Sequence, residues 1–137
     1  MRTFESFSVG ETAGLERVVD AREVDAFAKL TGDLNPLHVD AAYASSKKFG
    51  GRVAHGMLLA SYVSTLVGME IPGRSALLLS QSAEFRKPVL LGDRIRLELK
   101  VERKVEALRI LELSFLAVNQ RGETVMTGTA RAMALPG

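Results

Sequence analysis

The chain has 137 residues and a formal net charge of +2; 47% of its residues are hydrophobic and 25% are charged. This composition excludes a disordered chain, and the length fits a single domain over residues 1–137 with its own hydrophobic core. The absence of cysteine excludes disulfides and thiolate chemistry, and the weak positive charge without interleaved aromatic residues disfavours nucleic-acid binding.

The N-terminal segment predicts a strand and then a helix. Residues 4–9 are expected to form an edge segment and residues 15–19 a short strand. Asp20, with Glu23 three positions later, has the pattern of a capping box, and Gly32 can end the resulting helix in the left-handed conformation. The N-terminus carries no apolar stretch of signal-peptide length, so a cytoplasmic protein is expected.

A loop and a short helix are expected next. Residues 33–38 are interpreted as a loop because Asn35 precedes Pro36. Asp40 is the expected cap of a short helix that begins at residues 41–43.

The stretch from His55 to Glu70 predicts a helix buried in the core. Apolar residues lie on every side of its helical wheel, so protein or lipid has to surround it. A bilayer span needs about 20 apolar residues, whereas this run is shorter and contains Ser61, Ser64 and Thr65. We therefore expect a helix inside a protein core and no membrane partner.

The rest of the chain predicts an antiparallel sheet. Strands are expected near residues 76–85, 94–105, 108–118 and 123–134. Residues 94–102 alternate between polar and apolar, which is typical of a strand with one wet and one buried face. The basic residues on these strands indicate a solvated face, with an anionic ligand such as a phosphorylated cofactor as the alternative. Helices followed by a meander of strands predict an α+β domain, in which the sheet surrounds the buried helix.

Asp33 and His38 are the main candidates for catalysis. They share a short loop that Pro36 stiffens, so a carboxylate and an imidazole can converge on one water molecule. Such a pair supports general acid-base chemistry. The alternatives are structural: Asp33 can bond the amides of its own loop, and His38 can be a histidine whose hydrogen bonds only hold the fold.

Three further residues near this loop carry weaker signals. His55 precedes the buried helix, where a cap is needed, so it is expected to be structural or to support the site. Asn35 is expected to be a turn residue that at most supports the site. Gly56 leaves free amides at a helix start, which form an oxyanion site if a carbonyl is placed there; the alternative is close packing. No metal is expected, because the two histidines lack a carboxylate pair or a cysteine that would complete a ligand set.

Residues 27–38 resemble the hydratase motif of the MaoC-like hot-dog family. In that motif an aromatic residue, here Phe27, precedes a Gly-Asp-x-Asn-Pro-x-His core, here residues 32–38. The resemblance continues in the family's order and spacing through residues 52–57, 85–89 and 91–93. It covers nearly the whole chain and is closest to the short, single-domain (R)-specific enoyl-CoA hydratases.

The resemblance implies a hot-dog fold, in which an antiparallel sheet wraps a long central helix, and it implies a homodimer. It also implies hydration of trans-2-enoyl-CoA to (R)-3-hydroxyacyl-CoA, with Asp33 and His38 activating water and delivering a proton to the α carbon. The Gly56 amide would hold the thioester oxygen, and Ser64 would line the site near the catalytic pair, unless its hydroxyl bonds back to the helix. No cofactor is expected, because the acyl-CoA thioester is itself the substrate.

Three other functions fit parts of the same sequence. A 3-hydroxyacyl-carrier-protein dehydratase runs the same chemistry in reverse on an acyl chain attached to a carrier protein instead of CoA. A basic entrance to the site, formed by residues such as Lys47, Lys48, Arg52 and Arg86, suits either CoA or a carrier protein. A hot-dog acyl-CoA thioesterase would attack the carbonyl carbon, and a non-catalytic acyl-CoA-binding module would have lost the chemistry. The hydratase motif at residues 32–38 disfavours these last two functions.

Overall fold

A computed structural model describes the whole chain, residues 1–137, as one antiparallel sheet packed against one long helix. The helices are α1 (Ala21–Thr31), α2 (Pro36–Val39), α3 (Ala41–Ser45) and α4 (Gly56–Met69). The strands are β1 (Thr12–Val18), β2 (Ala76–Phe85), β3 (Arg94–Val105), β4 (Ile110–Val118) and β5 (Thr124–Ala134). They lie in the order β1-β3-β4-β5-β2, and every neighbouring pair is antiparallel. The predicted α+β domain is confirmed.

The helix boundaries follow the capping signals of the sequence. The Asp20 carboxylate accepts a hydrogen bond from the Glu23 amide at 3.1 Å, which satisfies a free amide in the first turn of α1. Gly32 ends α1 with φ at 81°, a conformation that costs glycine nothing because it has no Cβ. Asp40 caps α3 by accepting from the Tyr43 amide at 3.0 Å.

Two local predictions are wrong. Residues 4–9 do not form an edge strand; Phe4–Ser6 is a short 3-10 turn, and Phe4 and Phe7 are each only 1% exposed. The driving force is burial of these two rings, which a short strand at the sheet edge would leave partly in water. Residues 33–38 are not a loop throughout, because Pro36–Val39 forms one helical turn. Proline fits the first turn of a helix, where its missing N–H is not needed.

Three strand boundaries also differ from the prediction. The first strand ends at Val18 and starts earlier than expected, at Thr12. Residues 108–118 begin as a strand only at Ile110, since Glu106–Leu108 forms a 3-10 turn. The last strand begins at Thr124, one residue later than expected. The other two strands have the predicted bounds.

The hydrophobic core lies between the sheet and α4. On β3, apolar side chains at alternate positions are at most 1% exposed and form the buried face: Ile95, Leu97, Leu99 and Val101. On α4, the buried side chains include Leu59, Val63, Leu66 and Val67. The alternation of residues 94–102 therefore has the predicted structural meaning.

One face of α4 remains uncovered within a single chain. Met57, Ser61, Ser64 and Gly68 are exposed, and we call this set the α4 stripe. The prediction that protein surrounds α4 on all sides is thus only partly met by the chain itself. This face gains little from burial, because three of the four residues in the α4 stripe are serine or glycine and offer little apolar area. No helix of the structure combines the length and the apolar character that crossing a lipid bilayer requires.

The edge strand β2 lies beside the α4 stripe. The Gln81 side chain donates to the Ala60 carbonyl at 2.9 Å and ties the strand to the helix. Four large apolar residues of β2 are exposed at 37–48%: Leu77, Leu78, Leu79 and Phe85. This exposed apolar edge bears on the assembly discussed below.

Candidate active site

The turn between α1 and α2 presents the Asp33 carboxylate to solvent. The Asn35 amide donates to Asp33 Oδ1 at 3.3 Å, and the Leu37 amide donates to Asn35 Oδ1 at 3.0 Å. Asp33 does bond its own loop, as the structural alternative required, but its second oxygen makes no hydrogen bond in the chain. Asn35 is the cap of α2 and fixes the turn that carries the candidate pair.

The imidazole of His38 is oriented by a backbone carbonyl. Its Nδ1 lies 2.6 Å from the Val53 carbonyl oxygen. A carbonyl oxygen can only accept, so Nδ1 carries the hydrogen and Nε2 is the unprotonated nitrogen of the neutral ring. Nε2 has no partner in the chain and is available to accept a proton.

His55 is buried next to this pair. It is 2% exposed, and its Nε2 lies 3.1 Å from the Asp33 carbonyl oxygen, to which it donates. Its ring stacks on that of His38 with centroids 3.9 Å apart and 25° between the planes. The centroid of the Phe27 ring lies 4.8 Å from that of His55, with 56° between the planes. His55 occupies the cap position of α4 but makes no capping hydrogen bond, so the interpretation of its side chain as a helix cap is wrong. It connects the backbone of Asp33 to the ring of His38 instead.

Asp33, His38 and His55 therefore form one cluster. Each offers a ligand-type atom, and these atoms lie within 4.8 Å of one another. The two imidazole planes are stacked, whereas a tetrahedral metal site needs ligand lone pairs that converge on one point. The arrangement fits shared protons better than a shared ion, and the absence of a metal stays a prediction.

His38 and Gly56 line the same cleft, which has a volume of about 280 Å³. The Gly56 amide starts a 14-residue helix and has no hydrogen-bond partner in the chain, so the positive end of the helix dipole faces the cleft. A Cβ at this position would lie 3.0 Å from the Phe85 ring. Gly56 thus has the close packing of the structural alternative and also the free amide that an oxyanion requires.

Two cations at the rim of this cleft are already paired. Arg86 lies 3.0 Å from the Glu84 carboxylate, and Lys87 lies 2.6 Å from that of Glu123. Hydrogen bonds from Lys87, Asn119 and Arg121 lower the pKa of Glu123 to about 2. Both cations at this rim therefore have a carboxylate partner.

Ser64 lies elsewhere. It lines a second cleft of about 340 Å³, between the α4 stripe and β2, and that cleft contains neither Asp33 nor His38. Its hydroxyl does not bond back to the helix, although Ser61 and Thr65 both do so. Within one chain the structure does not bring Ser64 to the candidate pair.

Arg52 holds His38 in place, a role that the sequence did not indicate. Its Nε donates to the His38 carbonyl, and its Nη2 pairs with the Asp25 carboxylate of α1. The Arg52 side chain is only 13% exposed. No sequence signal links Arg52 to Asp25, because the two lie 27 residues apart and only the tertiary fold brings them together.

Comparison with known proteins finds one domain family and relatives with related named activities. Residues 7–114 match the MaoC like domain. The chain is 40% identical over 126 residues to an (R)-specific enoyl-CoA hydratase of Aeromonas caviae, covering 92% of this chain and 94% of that protein. It is 34% identical over 127 residues to a 3-hydroxybutyryl-CoA dehydratase of Methylorubrum extorquens, covering 93% and 80%. The solved structure of an (R)-hydratase from A. caviae involved in PHA biosynthesis superposes with a TM-score of 0.92 at 40% identity, covering 96% of this chain and 99% of that chain. The predicted hot-dog fold is confirmed.

Proposed function

The chain belongs to the MaoC-like domain family, and we propose that it acts as an (R)-specific enoyl-CoA hydratase. In this reaction water adds to trans-2-enoyl-CoA and gives (R)-3-hydroxyacyl-CoA. The observation that carries the proposal is the cluster in which the Asp33 carboxylate and the His38 ring lie together, with the Gly56 amide opening onto the same cleft as His38. The names of the relatives with 40% and 34% identity support the same chemistry.

The proposed reaction begins with activation of water. Water is a weak nucleophile, so a base has to remove a proton as its oxygen attacks C3 of the enoyl group. His38 Nε2 is oriented for this step by the bond from Nδ1 to the Val53 carbonyl. The free oxygen of Asp33 accepts the other hydrogen of the water and orients it.

The second half of the reaction returns the proton to carbon. Attack at C3 moves the electron pair of the double bond through C2 to the thioester oxygen, which becomes an enolate. The Gly56 amide, at the positive end of α4, donates to that oxygen. The imidazolium of His38 then gives its proton to C2, so that one water has been split into the hydroxyl at C3 and the hydrogen at C2. No cofactor or metal takes part in this scheme.

We also propose that the functional unit is a homodimer in the cytoplasm. The exposed apolar edge of β2 and the adjoining α4 stripe form one surface, and a second copy with the same surface can cover it around a two-fold axis. Leu78→Asp puts a charge into this surface and is expected to give monomers in sedimentation velocity. Leu116→Asp is the matched control, because Leu116 is a similarly exposed leucine on β4. Equal dimer content in both variants would contradict this surface as the interface.

The test of the enzymatic function is hydration of crotonyl-CoA, followed by the loss of enoyl-thioester absorbance. The configuration of the product at C3 is determined with stereospecific dehydrogenases. We expect the (R) product, and a fall in kcat of about 10²- to 10⁴-fold in Asp33→Asn and in His38→Gln. Asp40→Asn is the control: it makes the same carboxylate-to-amide change nearby, and asparagine caps a helix as well as aspartate does.

Two other outcomes would overturn the proposal. Release of free CoA from crotonyl-CoA would indicate a thioesterase. Binding of crotonyl-CoA without turnover, unchanged in Asp33→Asn, would indicate a non-catalytic binding module.

A further inference from the structure

A further cleft borders the turn that carries the candidate pair. Its volume is about 460 Å³. Its walls come from α2, from α3 and from the segment that follows α3. The lining residues are Asn35, Leu37, Tyr43, Lys47, Lys48 and Phe49. We call it the lysine cleft.

The lysine cleft combines two kinds of groups. Lys47 Nζ lies 4.7 Å from the centroid of the Tyr43 ring, and Lys48 Nζ lies 5.3 Å from that of the Phe49 ring. Neither lysine forms an ion pair, and no carboxylate lines the cleft. The cleft therefore holds two ammonium groups without a carboxylate partner, each lying over an aromatic ring.

This combination differs from two other charged sites of the molecule. A cleft of about 520 Å³ between β1 and α1 also holds two arginines, but Glu16, Asp20 and Glu23 line it with them. At the rim of the cleft that His38 and Gly56 line, Arg86 and Lys87 are already paired with glutamates. Free positive charge next to the catalytic turn is found in the lysine cleft.

We propose that the lysine cleft binds the nucleotide end of the thioester substrate, the 3′-phosphorylated ADP of CoA. An adenine ring stacks on aromatic side chains, and phosphate groups pair with lysine ammonium groups. Asn35 and Leu37 line this cleft while also flanking Pro36 in the turn that leads to His38. Leu37 of the lysine cleft and His38 of the other cleft are adjacent in the chain, so neighbouring residues line both clefts. This inference rests on the proposed function and specifies CoA, not a carrier protein, as the carrier of the acyl chain.

The test compares substrates with and without the nucleotide. The Lys47→Ala/Lys48→Ala double variant is assayed with crotonyl-CoA and with crotonyl-N-acetylcysteamine, which lacks the nucleotide. We expect KM for crotonyl-CoA to rise about 5- to 20-fold, since each exposed charge pair contributes modestly. We expect kcat for crotonyl-CoA, and kcat/KM for the short thioester, to remain as in the unmodified protein. The matched control is Lys29→Ala/Arg74→Ala, which removes two exposed cations that form no ion pair and lie outside the cleft.

A binding measurement separates this inference from the hydratase proposal. Adenosine 3′,5′-bisphosphate is titrated into the unmodified protein and into the double variant by calorimetry, a readout that requires no catalysis. We expect weaker binding in the double variant and unchanged binding in the control variant. If the unmodified protein hydrates neither thioester, the proposed function fails, and this titration still decides whether the cleft binds the nucleotide.

Three outcomes would overturn the inference and leave the hydratase function standing. The first is an equal KM for crotonyl-CoA in the double variant and the control. The second is an equal loss on the short thioester, which would mean that the lysines act through the fold. The third is a higher KM for a crotonyl-carrier-protein substrate with an unchanged KM for crotonyl-CoA, which would assign the cleft to an acidic carrier protein.

Discussion

The turn that carries Asp33 and the helix α4 meet at His55, but different forces hold them. The turn is exposed, and hydrogen bonds from side chains to nearby backbone groups fix it, such as those made by Asn35 and His38. Helix α4 is held by burial, with Val63 and its neighbours packed under the sheet. Hydrogen bonds of the first kind contribute little net stability but fix direction, whereas burial contributes stability without fixing any reacting group.

This difference separates residues for chemistry from residues for stability. Substitutions in the turn should change kcat more than the free energy of unfolding, and substitutions under the sheet should do the reverse. The largest stability effect therefore belongs to the core, and the smaller effects belong to the contacts that hold the turn and the cleft.

Leu99→Ala tests the core half of the comparison. Leu99 is fully buried on β3, so truncation leaves a cavity and is expected to lower the free energy of unfolding by about 2–5 kcal/mol. Urea denaturation measures the loss, while kcat of the protein that remains folded should stay close to that of the unmodified chain. Leu116→Ala is the control, since this leucine is 44% exposed. A fall in kcat as large as the fall in stability would mean that core and site are not independent.

Arg52→Gln tests the other half, because Arg52 ties the His38 carbonyl to α1. Loss of this charged hydrogen bond should let the imidazole move and lower kcat about 3- to 30-fold, in line with hydrogen bonds to charged groups. KM should change less than kcat, because Arg52 acts by positioning His38. Asp25→Asn removes the ion pair but leaves the bond to His38, so its effect on kcat should be smaller. Equal effects of the two variants would assign the role to the ion pair.

Local signals in the sequence predicted much of the fold. Asp20, Gly32 and Asp40 mark helix ends through bonds or backbone conformations within a few residues. Alternation along residues 94–102 predicts a half-buried strand for the same reason, because it depends on one strand alone. The Asp33 and His38 pair was also predictable, since a short turn limits how far apart the two can lie.

Contacts between distant segments could not be predicted in the same way. Residues 4–9 fold by burying two rings against a core that the sequence does not locate. The apolar pattern of α4 predicts burial but does not say what covers each face, so the α4 stripe was missed. The bond from His55 to the Asp33 backbone spans 22 residues, and only the fold creates it.

The smallest expected effect concerns Glu123. This residue belongs to a polar cluster outside both the turn that carries Asp33 and the buried core. Lys87, Asn119 and Arg121 lower its pKa from 4.5 to about 2. Because the pKa is lower in the folded chain, the charged carboxylate stabilises the fold at pH values above about 4.5. This contribution is lost as the pH falls through about 2. Glu123→Gln should therefore lower Tm slightly at pH 7, and its difference from the unmodified protein should shrink towards acid pH.

Thermal unfolding between pH 7 and pH 2.5 measures this difference, with Glu106→Gln as the control because Glu106 forms no ion pair. A difference in Tm that stays constant over the whole range would mean that Glu123 acts through packing and not through its charge. In that case the Glu123 carboxylate would not compensate the charge of Lys87, although the two groups are in contact. The rim of the cleft that His38 and Gly56 line would then carry free positive charge of its own. The lysine cleft would then lose its distinction from that rim, so this small effect bears directly on where the nucleotide end of the substrate is expected to bind.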